Sequence, residues 1–188
     1  MHDLTAITAL GGSVARVDHV GPITLSEQPD WAFASVAARL GQESKCKTAL
    51  KKRLGANAPD VGDVCVGKDL TAFWTGPHQW MIEAPFEQFE DIAAQVKSVV
   101  GTTASVSEQT DGWCRFDMQG DGVVAVFERL CNVNVAAMAT GTATRTVIEH
   151  LGCFVICRDA GTHLSVIGPR SSAGSMHHAL LTAMRSGW

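Results

Sequence analysis

Tyrosine is missing altogether from the 188 residues, so no phenol is available as a catalytic acid or a buried hydrogen-bond donor. Charge is scarce too. Asp, Glu, Lys and Arg make up only 18% of the chain, against 46% apolar residues, which is the balance of a folded domain with a sizeable core and excludes a disordered segment. There is no basic excess. The net charge is −4, whereas a nucleic-acid binder carries surplus cations to neutralise phosphates. No apolar run approaches the ~20 residues that span a bilayer, so no membrane partner is expected. Residues Met1–Leu10 have neither the basic start nor the long apolar stretch of a secretory signal, and the expected location is the cytoplasm.

Catalytic signatures are also wanting. There is no G-x-S-x-G elbow, no H-E-x-x-H and no P-loop. The cysteines (Cys46, Cys65, Cys114, Cys131, Cys153, Cys157) form no C-x-x-C pair, and in a reducing compartment they remain free thiols. Cys153 and Cys157 would share a face on a helix. The β-branched and aromatic residues between them read instead as a strand, on which four residues span about 13 Å, too far to share a metal. No catalytic, cofactor-binding or metal-ligating residue is assigned on these grounds.

What is present reads as alternating short elements. Residues 1–30 are expected to be an irregular arm with one short strand, broken by Gly11-Gly12, Gly21-Pro22 and Pro29. A helix is expected over Trp31–Leu40 by composition, and a second over Lys45–Leu54 from the apolar stripe Cys46, Ala49/Leu50 and Leu54. Val64–Val66 and Leu70–Trp74 are short strands, and residues 74–83 are strand, Gly76-Pro77 turn, strand. Pro85 opens a helix over Glu87–Val100. Ala104–Gln109 and Trp113–Met118 are strands joined by an Asp111-Gly112 hairpin signal. Asp121 caps a helix reaching Cys131. Strands follow over Ala143–His150, Cys153–Arg158 and His163–Ile167. Ser171 or Ser172 caps a last helix to Arg185. Single helices between strand pairs predict an α+β fold, a mostly antiparallel sheet with its helices on one face. The expected division is an N-terminal arm with helices over 1–60 and a main body over 61–188, the latter as two small subdomains sharing one core.

Several stretches merit a chemical reading. Gly120-Asp121-Gly122 follows a strand and opens a helix, as a dinucleotide fingerprint does. The helix is short, and no acidic residue follows some 20 residues on to hold a ribose, so a plain turn is expected. Arg170-Ser171-Ser172 joins a strand to a helix and could meet an anion or a partner. Lys45, Lys47, Lys51, Lys52 and Arg53 form the cationic cluster, expected to be a solvated helix face. His177 and His178 are adjacent on a helix, point about 100° apart and cannot chelate together. Glu149 and His150 are expected on opposite faces of a strand. Trp74, Trp80 and Trp113 are candidate interface aromatics, because Trp is enriched where one protein docks on another.

Longer motifs carry a resemblance. They are Trp74-x-Gly76-Pro77-x-Gln79-Trp80, the run Val106 to Trp113, Leu130-Cys131 with Gly141-x-x-x-Arg145-Thr146-x-x-Glu149-His150, and Gly168 to Ala173 leading to His178-Ala179-Leu180. In this order, over residues 70–182, they resemble the gamma subunit of heterotetrameric sarcosine oxidase. The resemblance implies a complex of alpha, beta, gamma and delta subunits. That complex demethylates sarcosine to glycine, passes the methyl carbon to tetrahydrofolate and reduces oxygen to hydrogen peroxide. It implies FAD, FMN and NAD on the alpha and beta subunits and zinc on delta, with no cofactor on this chain. The implied fold is similar to the folate-binding aminomethyltransferase domain with a ferredoxin-like part, and the implied direct partner is the alpha subunit. The alternative is a free-standing folate-binding or one-carbon-transfer protein, for which Glu108, Asp111 and Trp113 would supply a carboxylate and an aromatic slot.

Overall fold

The computed structural model describes residues 5–188; residues 1–4 of the expected N-terminal arm lie outside the described residues. Among the described residues eleven strands run in chain order: β1 (Val17–Val20), β2 (Ile23–Glu27), β3 (Trp31–Ala38), β4 (Val64–Val66), β5 (Thr71–Gly76), β6 (Gln79–Pro85), β7 (Ala104–Glu108), β8 (Trp113–Gly120), β9 (Thr142–Ile148), β10 (Leu151–Asp159) and β11 (His163–Pro169). The α-helices are α1 (Glu43–Leu54), α2 (Ile92–Val100), α3 (Val123–Leu130) and α4 (Ala173–Arg185). The strands form a six-stranded sheet ordered β1-β2-β8-β11-β10-β9 and a five-stranded sheet ordered β4-β5-β6-β3-β7. The fold is α+β with antiparallel sheets, as the alternation of elements predicts.

The chain divides into two interleaved units rather than at residue 60. Among the described residues, one comprises the segment up to Pro29 with 112–140 and 144–188; the other comprises 30–111 and 141–143. Each has its own core. In the first, alternate residues of β8 (Cys114, Phe116, Met118) and β11 (Leu164, Val166) meet Val123 and Phe127 of α3 and Met176 and Leu180 of α4. Strand alternation sends one set of side chains to the helices and leaves the other set for the opposite face. In the second, Cys46, Leu50 and Leu54 of α1 and Ile92, Val96 and Val100 of α2 pack on Ala32, Ala34 and Val36 of β3 and Trp80 and Ile82 of β6.

The structure corrects several expectations. Trp31–Ala38 is a strand, not a helix, and it sits inside its sheet between β6 and β7. Its alanines favour a helix in isolation, but ladder bonds to two neighbours and burial of Ala32 and Ala34 beneath the helices override that preference. Residues 17–27 form a two-stranded hairpin, and β2 extends the sheet by pairing with β8. Asp111-Gly112 is no hairpin turn: β7 pairs with β3, whereas β8 pairs with β2 and β11 in the other sheet. The helix expected from Glu87 begins only at Ile92, after a short 3-10 turn over Phe86–Gln88. Glu149 and His150 are not in a strand. They have φ of 48° and 66° and make the two-residue turn between β9 and β10, a left-handed conformation that matches the twist of a hairpin.

Candidate functional site

The most polar constellation of the first unit lies on the side of its sheet away from α3 and α4. Arg115 and Asp117 alternate with Cys114, Phe116 and Met118 along β8, and Ser165 alternates with Leu164 and Val166 on β11. Arg115 donates from Nε and Nη2 to the two carboxylate oxygens of Asp117, both at 2.8 Å. The Ser165 hydroxyl donates to Asp117 Oδ1 at 2.6 Å and accepts from Arg158 Nε at 2.9 Å. His163 Nε2 lies 3.2 Å from Asp117 Oδ2. Register brings these together, since Asp117 stands opposite Ser165 across the β8–β11 pair. Arg115, Asp117 and Ser165 are all buried. Burial pushes the Asp117 carboxyl upward, but the bonds from His163, Arg115 and Ser165 outweigh it and hold the group well below the usual carboxylate range. Asp117 is therefore an anion at neutral pH, and the Ser165 hydroxyl both donates and accepts within the cluster. The cluster ties three adjacent strands.

A second constellation anchors β1. His177 of α4 approaches Asp18 at 2.8 Å, and Arg16 donates to the same carboxylate from Nε at 2.9 Å and Nη2 at 3.1 Å. The Arg16 hydrogen bond is the largest influence on Asp18 and lowers its pKa, with His177 adding to it. His177 is buried beside Phe116, with ring centroids 5.9 Å apart, while its neighbour His178 is exposed, as expected of adjacent helical residues. Glu27, also buried, accepts from the backbone N–H groups of Leu10 and Arg16 and so straps the N-terminal segment to the sheet.

The sequence-predicted residues are distributed as follows. Arg170 donates from Nη2 to the Ile7 carbonyl at 2.8 Å, and its own N–H bonds Gly112 O. Arg170, Ser171 and Ser172 form a 3-10 turn before α4, and neither it nor α4 has a side-chain cap hydrogen bond. Ser172 does occupy the N-cap position of α4, but its hydroxyl makes no cap hydrogen bond. Asp121 does not cap α3 either, because Gly122 at φ 99° occupies the N-cap position. Gly120 is required sterically: at φ 122° a Cβ there would collide with the Pro22 carbonyl. Trp80 is no interface residue. It is 1% exposed, and its Nε1 donates to Pro59 O at 2.8 Å. Trp74 and Trp113 are half-buried, and Trp113 stacks at a tilt on Phe154 at 5.7 Å.

In the basic segment, Lys47 pairs with Asp60 at 3.0 Å and Arg53 lies over Phe89 at 5.7 Å. Lys51, Lys52 and Arg53 occupy the last turn of α1, where cations complement the helix dipole. Glu108 Oε1 accepts from the N–H groups of Gln109 and Thr110 and from the Thr110 hydroxyl. Glu108 and Asp111 belong to the second unit and Trp113 to the first. Glu108 Oε1 is thus held within its own turn. All six cysteines are free thiols, with Cys153 and Cys157 on β10. Among the described residues, no group of three or more His, Cys, Asp and Glu could hold a metal ion, and no helix is long and apolar enough to cross a membrane. Asp117, Ser165, Arg158 and the Asp18–His177 pair escape sequence reasoning. Charged residues alternating with apolar ones on a strand signal a solvent face, and nothing local says that this face is buried.

No protein-family model matches the sequence, and no curated protein matches it. Solved structures do. A chain of heterotetrameric sarcosine oxidase from Corynebacterium sp. U-96, solved with pyrrole 2-carboxylate, matches with a TM-score of 0.77 at 18% identity, covering 90% of this chain and 87% of that one. The glycine cleavage system aminomethyltransferase T of Bartonella henselae matches with a TM-score of 0.62 at 12% identity over 86% of this chain; the match spans 46% of that enzyme. The α+β architecture of antiparallel sheets and overlying helices is therefore a fold that this chain shares with a chain of heterotetrameric sarcosine oxidase and with part of an aminomethyltransferase.

Proposed function

We propose that this chain is the non-catalytic gamma-type subunit of a heterotetrameric sarcosine oxidase. The observation that carries the reading is the mutual coverage of about nine tenths with one chain of that enzyme, which makes the two chains similar in length as well as in fold. The motif order along residues 70–182 supports it independently. In this reading the chain docks on an alpha subunit, with beta and delta in the same cytoplasmic complex. FAD, FMN, NAD and zinc belong to those other chains. The complex demethylates sarcosine to glycine, passes the methyl carbon to tetrahydrofolate and produces hydrogen peroxide. The side-chain constellations fit a scaffold role. Asp117 and Ser165 are engaged by neighbours within the chain, and His177 Nε2 is held by Asp18, so these groups go into holding strands and α4 in place.

The test is co-expression. A tagged form of this chain, recovered from its native cytoplasm or co-expressed with the neighbouring subunits, is expected to bring down a flavin-absorbing partner. Sarcosine-dependent peroxide formation should appear in that complex and not in the chain alone. The likeness to part of an aminomethyltransferase favours a second reading, a free-standing folate-binding or one-carbon-transfer protein. A soluble chain that binds tetrahydrofolate stoichiometrically and recovers no flavoprotein would establish that reading and remove the first.

A further inference from the structure

Residues 186–188 leave α4 along a fixed path. The Ser186 N–H donates to Thr182 O at 3.0 Å and the Gly187 N–H to Met184 O at 3.2 Å, while the Ser186 hydroxyl donates to Ala183 O at 2.8 Å. These bonds extend the last turn of the helix, so the tail is aimed by α4, whose Met176, Leu180 and Met184 are set in the first core. Trp188 is brought in this way onto two glycines from distant parts of the chain. A Cβ at Gly21, in the turn of the β1–β2 hairpin, would lie 2.9 Å from Cδ2 and 3.0 Å from Cγ of the indole. A Cβ at Gly122, just before α3, would lie 2.9 Å from Cζ2.

One ring thus bridges the two sites, its inner atoms on the hairpin turn and its outer edge on the start of α3. Backbone approaches an indole this closely only where no Cβ intervenes. Gly187 adds a third close approach, because a Cβ there would lie 2.8 Å from Nη1 of Arg129 on α3. That guanidinium is itself anchored by donating to Ala125 O at 3.2 Å. Yet Trp188 is 62% exposed, so it is no core residue. Its ring has a backbone floor on one side and is otherwise open, and the contacts join three chain segments that belong to the same unit.

We infer that Trp188 is a clasp that fixes the β1–β2 turn against the start of α3 and makes the order of this edge hairpin depend on the tail of α4. The hairpin lies at the rim of its sheet, with β1 outermost. Its β2 strand is held by the ladder to β8, and Asp18 of β1 is held by His177. The turn at Gly21 lies beyond both attachments, and the indole closes on it there. The clasp is also releasable. Rotating one exposed side chain lifts the ring off both glycines without opening the core, so the hairpin turn can loosen while the rest of the sheet stays formed. The inference goes beyond the subunit reading and does not depend on it, because every residue invoked belongs to this chain.

The test is amide hydrogen exchange of the full chain, alone or with whatever subunits co-purify, read peptide by peptide by mass spectrometry. Trp188→Ala should speed exchange over residues 17–27 about tenfold, the order expected from uncovering part of an indole, with β10 and β11 unchanged and circular dichroism showing an intact fold. Trp188→Phe, which keeps a flat ring, should stay within about threefold of the wild type. Unchanged exchange over 17–27 in Trp188→Ala would overturn the inference. So would an equal rise over β10 and β11, which would make Trp188 a general stabiliser and not a clasp. A second measurement separates the ring from backbone strain. Gly122→Ala is strained at φ 99° in any background, but it meets the indole only when Trp188 is present. Its fall in melting temperature should therefore be larger in the wild type than in Trp188→Ala, by about 3 °C or more. Equal falls in the two backgrounds would show that the ring and the glycine are not coupled and would overturn the inference.

Discussion

Replacing Asp117 by Asn probes the buried polar cluster with almost no change of shape. Asp117 accepts from Arg115 Nε and Ser165 Oγ at one oxygen and from Arg115 Nη2 at the other, with His163 beside it. An Asn side chain offers one acceptor oxygen and one NH2 group. Whichever way the amide turns, its NH2 faces an N–H of Arg115, so one charge-assisted bond becomes a donor–donor contact. Breaking a buried ion pair from one side costs about 3–5 kcal/mol. Retained shape and the surviving bonds place this variant near the lower figure, at about 3 kcal/mol. With a urea m-value of about 2 kcal/mol per molar, the unfolding midpoint falls by about 1.5 M. The pH dependence supplies a second readout. The folded carboxyl titrates below its unfolded value, so on acidification the unfolded chain takes up the proton first and stability falls. The contribution is fully present above the unfolded pKa of about 3.9 and is lost as pH drops through the folded value. The gap between wild type and Asp117→Asn should therefore be widest near neutrality and narrow below about pH 4. Urea titrations at neutral and acidic pH measure both quantities. A neutral-pH gap under about 1 kcal/mol, or one that widens on acidification, would refute the assignment of Asp117 as a buried anion that ties the strands.

Gly120→Ala should be severe, because the new Cβ meets the Pro22 carbonyl, which cannot swing aside; a melting scan should show a drop on the order of 5–15 °C. Trp80→Phe removes the donor to Pro59 O inside the core, with an expected loss of about 1–3 kcal/mol in urea unfolding; an unchanged midpoint would show that the bond contributes nothing. Thiol titration should count six groups after denaturation without reductant. In the folded protein at pH 8, burial pushes Cys114 and Cys153 up to about 12, so both should stay unreactive while the half-buried Cys131 reacts first.

Much of the fold is legible in local signals. The α1 helix shows its stripe of Cys46, Leu50 and Leu54, and the β5–β6 hairpin is announced by Gly76-Pro77. The antiparallel α+β class follows from single helices placed between strand pairs. The misses have one physical character: each is decided by partners distant in the chain. The sequence from Trp31 to Ala38 is alanine-rich and helical by propensity, yet it becomes an inner strand because β6 and β7, some 45 and 70 residues later, offer ladders on both of its edges. Asp111-Gly112 carries a strong local hairpin signal, but Trp113–Gly120 gains more from lying between β2 and β11, where Cys114, Phe116 and Met118 reach the first core. Glu149-His150 lacks the glycine or asparagine that advertises a left-handed turn, so its role as a hairpin turn cannot be read from residue type.

The candidate site was harder to read for a related reason. Burial of Arg115, Asp117 and Ser165 inverts the ordinary meaning of a polar alternation. A strand reading Trp113-Cys114-Arg115-Phe116-Asp117-Met118 suggests one face to the core and one to water. Here both faces are withdrawn from solvent: Phe116 and Met118 are fully buried beneath the helices, while Asp117 is 3% exposed on the opposite side. The energetic consequence is that the polar face must be satisfied by protein groups, and Asp117 collects them from two strands at once. Such a face carries a constraint that a solvent-facing one does not. Replacing any member leaves charge or hydrogen-bonding capacity in a place where water does not make up the loss. That cost works as geometric insurance. It holds β8, β10 and β11 in one register, and the strand register in turn determines where α4 and the Glu149–His150 turn emerge.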